Sequence, residues 1–304
     1  MNKYFRYFLL VLYFIGTAAR DVIARLILDY LGPLSTSAMM ALLATVTCLL
    51  IDQAQIRLIK NHPRNHWNRS RVVRLFSLSV STALAVYLGN VAIDKVGPVT
   101  YKILEVTTFP SWVAFLMFIF LHHAAPKKDL IATGIALLGF LIFYADRFDQ
   151  FQVQWLGIAA ALASALAYAV SLILAKGLLA DNLRPASLIA GRFLLLGLLA
   201  VTVSPVELFQ LPSNILWYLL GLGVIAYGVL FTFMFYLIRE VPATTMAVFI
   251  AGAPIFTAVM AWLMVPGTSY SLIELGGLVV IVAGMLVAVI IEGNSPAPSP
   301  QAAD

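Results

Sequence analysis

The chain has 304 residues, of which 62% are hydrophobic and 11% are charged. Soluble domains carry about 25% charged residues, so this composition excludes an ordinary soluble protein and indicates an integral membrane protein. The formal net charge is +5, but the basic residues concentrate in links next to apolar segments, which argues against a nucleic-acid partner. The single cysteine, Cys48, excludes a disulfide framework and a cysteine-based metal site.

A membrane-spanning helix needs about 20 predominantly apolar residues. Ten segments come close to this length, so the sequence predicts an all-α membrane protein with ten transmembrane helices. In chain order they cover residues 4–28, 34–51, 75–93, 99–121, 130–145, 156–179, 186–204, 215–237, 244–265 and 272–291.

Two pairs of prolines mark an internal repeat. Pro98 and Pro110 recur 144 residues later as Pro242 and Pro254; the first of each pair precedes the fourth or ninth predicted span, and the second lies inside it. A fixed long period indicates a duplicated structural unit. The sequence therefore predicts two copies of a five-helix repeat.

The position of the basic residues predicts the topology. The largest cluster lies between the second and third spans, and the positive-inside rule places it in the cytoplasm. Its members are Arg57, Lys60, Arg64, Arg69, Arg71 and Arg74. Because five spans per copy is an odd number, the second copy enters the bilayer from the opposite side, so the repeats are inverted. Both termini are then expected in the cytoplasm.

This topology divides the chain into four predicted regions. Residues 1–145 form the first five-helix repeat, residues 146–154 a short periplasmic linker and residues 155–291 the second repeat. Residues 292–304 are rich in Pro, Ala and Ser, a composition typical of a disordered tail, which would lie in the cytoplasm.

Two further features match a known family. Leu31-Gly32-Pro33 in the first copy corresponds to Leu183-Arg184-Pro185 in the second, and Arg192 follows seven residues later. Together with the inverted five-span copies and their prolines, these residues make the chain resemble the EamA-type permeases of the drug/metabolite transporter superfamily. The resemblance implies helix bundles that rock around a cavity lined by spans one, three, four, six, eight and nine. Such relatives include metabolite exporters, nucleotide-sugar exchangers and subunits that handle lipid-linked sugars, so the substrate stays open.

Ionisable residues inside two spans point to a functional site. Such a residue costs about 2.5 to 3.5 kcal/mol on insertion scales and usually faces a cavity or a partner. Span one contains Arg20, Asp21 and Arg25, and span four contains Lys102 and Glu105. At the helical rise per residue, Glu105 lies about 10 Å inward from the start of span four, and Arg20 about 24 Å from the inner end of span one. We therefore expect the two groups to meet in the outer half of the membrane.

Helical spacing assigns these charges to two polar faces. The predicted substrate-binding residues are Tyr13, Thr17 and Arg20 on span one, and Tyr101, Glu105, Thr108 and Trp112 on span four. Arg20 would hold a carboxylate, and Asp21 or Glu105 an amine, while the aromatic rings would offer stacking or cation–π contact.

The same charges allow a structural interpretation. Arg20 and Asp21 would then pair with Lys102 and Glu105 as ion pairs that the substrate never touches, and Lys102 and Glu105 are close enough on one helix to satisfy each other. A third reading is ion coupling, in which Glu105 takes up and releases a proton as the cavity opens to each side. The residues alone leave these alternatives open.

Other candidate residues have more structural roles. Arg192 lies about 10 Å from the cytoplasmic side of span seven and is assigned to the charge network, with carbonyl groups, Glu240 or anionic lipid as partners. Pro110 and Pro254 interrupt backbone hydrogen bonds at mid-span and are the predicted hinges. The four histidines have no nearby cysteine or paired acid, so the sequence predicts neither a metal nor a cofactor.

Small residues at helical spacing predict close contacts between helices. They are Ala159, Ala163 and Ala167 in span six, Gly221 and Gly228 in span eight, and Gly277 and Gly284 in span ten.

These features predict a secondary transporter of the inner membrane that exports a small polar metabolite, an amino acid or related organic solute, by alternating access. Its partners would be the solute and the lipid bilayer, with the protein a monomer or homodimer. The alternative is a non-transport scaffold, or a flippase subunit for lipid-linked intermediates in a membrane complex. An enzyme is not predicted, because Gly-x-Ser-x-Gly and His-Glu-x-x-His motifs and a paired-aspartate site are absent from the sequence.

Overall fold

The structure is a computed structural model that describes residues 3–58, 68–121, 127–146, 151–181, 183–203, 211–237 and 243–293. Within these ranges the secondary structure is helical. The helices are α1 (Lys3–Leu28), α2 (Pro33–Leu58), α3 (Arg69–Val96), α4 (Pro98–Leu121), α5 (Lys127–Tyr144), α6 (Phe151–Ala180), α7 (Pro185–Val203), α8 (residues 213–237), α9 (Ala243–Met264) and α10 (Leu272–Gly293). The all-helical fold class predicted from the sequence is confirmed for the described part of the chain.

By length and composition, five described helices can cross a membrane: α2, α3, α6, α7 and α8. Shorter apolar helical stretches lie in α5, α9 and α10. The helices α1 and α4 contain the charged residues at positions 20, 21, 25, 102 and 105, which lower their hydropathy. The fold is therefore that of a multi-pass membrane protein in which two helices, α1 and α4, contain several charged residues.

Helix boundaries differ from the sequence prediction by a few residues. α6 begins at Phe151, inside the predicted linker 146–154, and α10 ends at Gly293, inside the predicted tail 292–304. A polar residue ends an apolar run without ending the backbone hydrogen bonds of a helix. Hydropathy therefore predicts helices that are too short at these ends. The rest of the tail lies outside the described residues, as do Lys60, Arg64, Glu240, Pro242 and the four histidines.

Local sequence signals start and stop several helices. The side chain of Asn68 accepts a hydrogen bond from the backbone nitrogen of Arg71 at 2.8 Å and caps α3. Gly97 ends α3 with a φ of 81°, a left-handed conformation that favours glycine. Pro98 follows at the first position of α4, where its missing N–H is no loss. A single residue thus separates α3 from α4 and fixes the turn between them.

The most extensive helix packing joins α3 to α6, α5 to α10 and α2 to α7. α4 also packs on α6, and α1 on α9. The largest cluster of buried apolar side chains lies among α1, α2, α3, α4, α6, α7 and α8, and a smaller one joins α1, α4, α5, α9 and α10. Each of the two clusters combines helices from the first and second halves of the chain, so the halves do not form separate cores.

Small residues permit the close approach of α5 and α10, as predicted for Gly277 and Gly284. A Cβ atom on Gly277 would lie 2.4 Å from the backbone nitrogen of Phe143, and one on Gly284 would lie 3.0 Å from that of Ala136. The prediction is wrong for span six, where Ala159 and Ala163 are exposed. It is also wrong for Gly221, which has no neighbour within 4 Å of an added Cβ.

α8 contains a π-helical segment from Gly221 to Leu230 between two α-helical ends. Two of its glycines face α2: an added Cβ on Gly228 would lie 2.8 Å from Thr47, and one on Gly223 would lie 2.5 Å from Leu43. Segments of this type occur frequently at functional sites. Here the segment leads directly into the aromatic residues of α8 that face the interior.

Candidate functional site

A cavity of about 190 Å³ lies between the first and second halves of the chain. Its wall comes from α1, α4, α6, α7, α8 and α9. The lining residues are Tyr13, Phe14, Thr17, Arg20, Lys102, Glu105, Val106, Phe109, Tyr168, Leu172, Arg192, Phe231, Met234, Phe235 and Ala253. The resemblance implied lining from span three, but α3 does not contribute to this wall and α7 does.

A chain of four buried charges joins α1 to α4 at one side of the cavity. Arg20 donates from Nε to Oδ1 of Asp21 at 2.8 Å. The other carboxylate oxygen of Asp21 pairs with Nζ of Lys102 at 2.7 Å, and Lys102 pairs with Oε2 of Glu105 at 2.5 Å. All four residues are at most 9% exposed. The charges of spans one and four therefore come together through Asp21 and Lys102, while the predicted pair, Arg20 and Glu105, lies at the two ends of this chain.

Within this chain of charges, Asp21 binds two cations. Its Oδ1 atom also lies 2.7 Å from Nη2 of Arg20, so one guanidinium and one ammonium group share a single carboxylate. Because Glu105 also binds Lys102, two carboxylates balance the two cations, and Arg20, Lys102 and Glu105 still line the cavity. The geometry contains the predicted ion pairs and also places three of their members where a solute would reach them.

A fifth buried charge, Arg192 of α7, approaches the cavity from another side. Its Nε donates to Oγ1 of Thr82 on α3 at 3.0 Å. Its guanidinium carbon lies 5.4 Å from the ring centres of both Tyr168 and Phe231. Among the described residues, Arg192 forms no ion pair with a carboxylate. The predicted partner Glu240 lies outside the described residues.

Aromatic rings lie next to both arginines, and Tyr13 and Phe231 among them line the cavity. Tyr227 and Phe231 on successive turns of α8 stack with ring centres 5.7 Å apart. Arg20 lies 5.3 Å from the ring centre of Tyr227, and Tyr13 meets Phe231 edge to face at 6.1 Å. Cations placed over aromatic faces are stabilised by the ring quadrupole. The cavity therefore combines charged groups with an apolar, aromatic surface.

Not every predicted binding residue lines this cavity. The hydroxyl of Tyr101 lies 3.4 Å from that of Ser164 on α6, and Thr108 donates to the backbone carbonyl of Leu104 at 2.7 Å. Trp112 packs edge to face on Phe115 with ring centres 6.1 Å apart. The face of α4 that meets the cavity is instead formed by Lys102, Glu105, Val106 and Phe109. Of the predicted set, Tyr13, Thr17, Arg20 and Glu105 lie in the wall.

The resemblance implied that spans six and eight line the cavity, but the sequence predicted none of their residues for the site. Tyr168, Leu172, Phe231 and Met234 are apolar or aromatic residues within long apolar spans. Nothing in their spacing separates a residue that lines a cavity from one that packs in the core. The π-helical segment of α8 lies just before Phe231, but it is a feature of the structure and not of the sequence.

No group of three or more His, Cys, Asp or Glu side chains in the described part of the chain is arranged to hold a metal ion. Cys48 is buried in α2, with its sulfur 3.5 Å from Oγ1 of Thr232 and 3.6 Å from the carbonyl oxygen of Gly228. It therefore acts as a contact between α2 and α8.

Comparison with known proteins agrees with this arrangement. The model of the EamA-like transporter family matches the chain twice, over residues 5–145 and 155–290. Among 28 similar chains of known structure, one crystal structure covers 92% of this chain and 98% of its own, with a TM-score of 0.61 and 14% identity. That identity supports the fold alone. A search of the curated proteins found no match. Because the two matched segments cover most of the sequence, the chain belongs to the EamA-like transporter family.

Proposed function

We propose that this protein exports a small polar organic solute, an amino acid or related metabolite, across the inner membrane by alternating access. One observation carries the proposal. The cavity between the two segments matched by the transporter family contains Arg20, Lys102, Glu105 and Arg192 in its wall. Buried charges inside a membrane protein mark a pathway or a binding site for a polar solute. The direction of export rests on the resemblance to metabolite exporters.

Helix packing supports the inverted ten-span arrangement that this mechanism needs. A pseudo-two-fold axis in the membrane plane makes each helix of the first copy equivalent to one of the second. α2 packs on α7, α4 on α9 and α5 on α10, each a pair of equivalent helices. The contact of α4 with α6 also has a counterpart in the contact of α9 with α1. In this proposal both termini lie in the cytoplasm.

Pro110 and Pro254 are the proposed hinges of the transport cycle. Both lie inside continuous helices, α4 and α9, where a proline removes one backbone hydrogen bond and weakens the helix locally. The residues immediately before them, Phe109 and Ala253, line the cavity. Bending at either proline would therefore move the cavity wall on that side.

The test is solute flux in proteoliposomes that contain the full chain. Radiolabelled amino acids and organic acids are supplied to wild-type protein and to Arg20→Gln and Glu105→Gln variants. The control is Arg25→Gln, because Arg25 pairs with Asp29 at the exposed end of α1. Loss of one charge-assisted hydrogen bond is worth about 1.5 to 3 kcal/mol, so we expect flux to fall about ten- to a hundredfold in the two cavity variants.

Two outcomes would count against the proposal, and a third measurement tests whether transport is coupled to protons. Unchanged flux in both cavity variants would remove Arg20 and Glu105 from the mechanism. Absence of flux for all solutes, together with copurified polyprenyl lipid, would favour a lipid-handling role. Finally, uptake driven by a pH gradient in the wild type but not in Glu105→Gln would support proton coupling, and equal uptake in both would refute it.

A further inference from the structure

The cavity carries one positive charge that the described part of the protein does not balance. Arg20 and Lys102 are matched by the carboxylates of Asp21 and Glu105. Arg192 is 4% exposed and forms no ion pair with a described carboxylate. Removing a charge from water without a counterion is strongly unfavourable. An anion in the cavity is the simplest way to compensate it.

The guanidinium of Arg192 is held in a fixed position. Its Nε donates to Thr82, and the hydroxyl of Thr82 lies 3.2 Å from that of Ser171 on α6. The guanidinium also lies over the rings of Tyr168 and Phe231, with both ring centres 5.4 Å from its carbon. One nitrogen is therefore used for anchoring, while the side chain itself lines the cavity.

The two terminal nitrogens of Arg192 are left for a ligand. Neither donates a hydrogen bond to a described residue, and the rings beside the guanidinium are neutral. The fork of a guanidinium matches the two oxygens of a carboxylate, a pairing that lysine cannot reproduce. The aromatic side chains around it offer an apolar surface to the remainder of such a solute.

We propose that Arg192 is the anion-binding residue of the cavity and that the transported solute is an organic monocarboxylate with a net charge of −1. The inference rests on the proposed transport function and narrows its substrate class from amino acids and related solutes to carboxylates with a net charge of −1, which excludes zwitterionic amino acids. A solute with one negative charge neutralises the five buried groups, whereas a zwitterion or a cation leaves the positive charge uncompensated. Arg20, already paired with Asp21, contributes to the wall without being the principal anion site.

The test is equilibrium binding to the purified full chain with four probes of matched shape. They are 3-phenylpropionate, 3-phenylpropanamide, 3-phenylpropylamine and phenylalanine, which are an anion, a neutral amide, a cation and a zwitterion. The wild type is expected to bind the carboxylate at least about tenfold more tightly than the amide, since a charge-assisted hydrogen-bonded pair is lost with the charge. Equal affinity for the two, or no binding of the carboxylate, would overturn the inference.

Variants assign this preference to Arg192. Arg192→Gln is expected to bind the carboxylate no better than the amide. Arg192→Lys should show a carboxylate preference between those of the wild type and Arg192→Gln, because lysine keeps the positive charge but lacks the two-pronged geometry of the guanidinium. Arg25→Gln is the control and is expected to bind as the wild type does. Thr82→Val removes the anchor without removing the charge and provides a second variant if Arg192→Gln does not fold. Full carboxylate preference in Arg192→Lys, Arg192→Gln and Thr82→Val would refute the assignment.

Flux measurements separate this inference from the function on which it rests. Transport of neutral or cationic probes without preference for the carboxylate would refute the anion site and leave transport intact. Specific binding of 3-phenylpropionate through Arg192 without flux in proteoliposomes would support the anion site and refute the transport function.

Discussion

The central role of Asp21 in the buried charge chain can be tested by its effect on stability. Asp21 binds Arg20 at 2.7 Å and Lys102 at 2.7 Å, whereas Glu105 binds only Lys102 among the described residues. Asp21→Asn therefore leaves two buried cations with one carboxylate. Breaking a buried ion pair on one side costs about 3 to 5 kcal/mol. Glu105→Gln should cost less, about 1.5 to 3 kcal/mol, because Lys102 keeps Asp21 as its partner.

Unfolding by SDS in mixed micelles, followed by tryptophan fluorescence, measures the difference between these variants. The Arg20→Gln/Asp21→Asn double variant removes one charge of each sign and leaves Lys102 paired with Glu105. It should therefore be more stable than Asp21→Asn alone, a non-additivity expected of residues in direct contact. Equal destabilisation by Asp21→Asn and Glu105→Gln, or no recovery in the double variant, would refute the assignment of Asp21 as the shared counterion.

Two further predictions concern packing and an ion pair between the halves of the chain. Gly277→Ala places a Cβ about 1 Å inside normal contact with the backbone of α5 and should lower the free energy of unfolding by about 1 to 3 kcal/mol. Gly276→Ala is the control: its Cβ would have nothing within 4 Å, so the change should be neutral or slightly stabilising. Equal unfolding midpoints for the two variants would contradict the predicted clash. Asp52→Asn removes the buried carboxylate that binds Arg184 at 2.7 Å and should cost about 3 to 5 kcal/mol, while Asp29→Asn at the exposed end of α1 should cost less than about 1 kcal/mol. The same SDS titration measures both, and an Asp52→Asn variant as stable as Asp29→Asn would contradict the second.

The charge chain explains how far sequence reasoning can reach at this site. Placing Arg20 and Glu105 at the same depth required only the helical rise and the ends of two spans. The structure brings these charges together through Asp21 and Lys102. Depth in the membrane follows from sequence position, because a helix converts residue number into distance.

The orientation of α4 was harder to predict. The sequence favoured the face with Tyr101, Glu105, Thr108 and Trp112. Of these only Glu105 lies in the cavity wall, together with Lys102, Val106 and Phe109. Adjacent residues differ by about 100° around a helix, so a small rotation changes which residues meet the cavity. That rotation depends on packing against α6 and α9, including the contact of Tyr101 with Ser164.

Arg192 shows the same limit for a single residue. From the sequence it was a buried arginine near the cytoplasmic side, with candidate partners in lipid, carbonyl groups or Glu240. In the structure it lies between α6 and α8, anchored by Thr82. These neighbours are more than 20 residues away along the chain, and no local pattern connects them to it.

The sequence by itself determined the membrane location, the helical fold, the duplicated unit and the family, because apolar length, proline spacing and charge position are properties of the chain alone. Only the tertiary structure decided which helix faces enclose the cavity, which carboxylate neutralises which cation, and that Arg192 faces the cavity without a described counterion. Those features depend on the rotation and approach of helices distant in sequence, which are set by side-chain packing across the whole molecule.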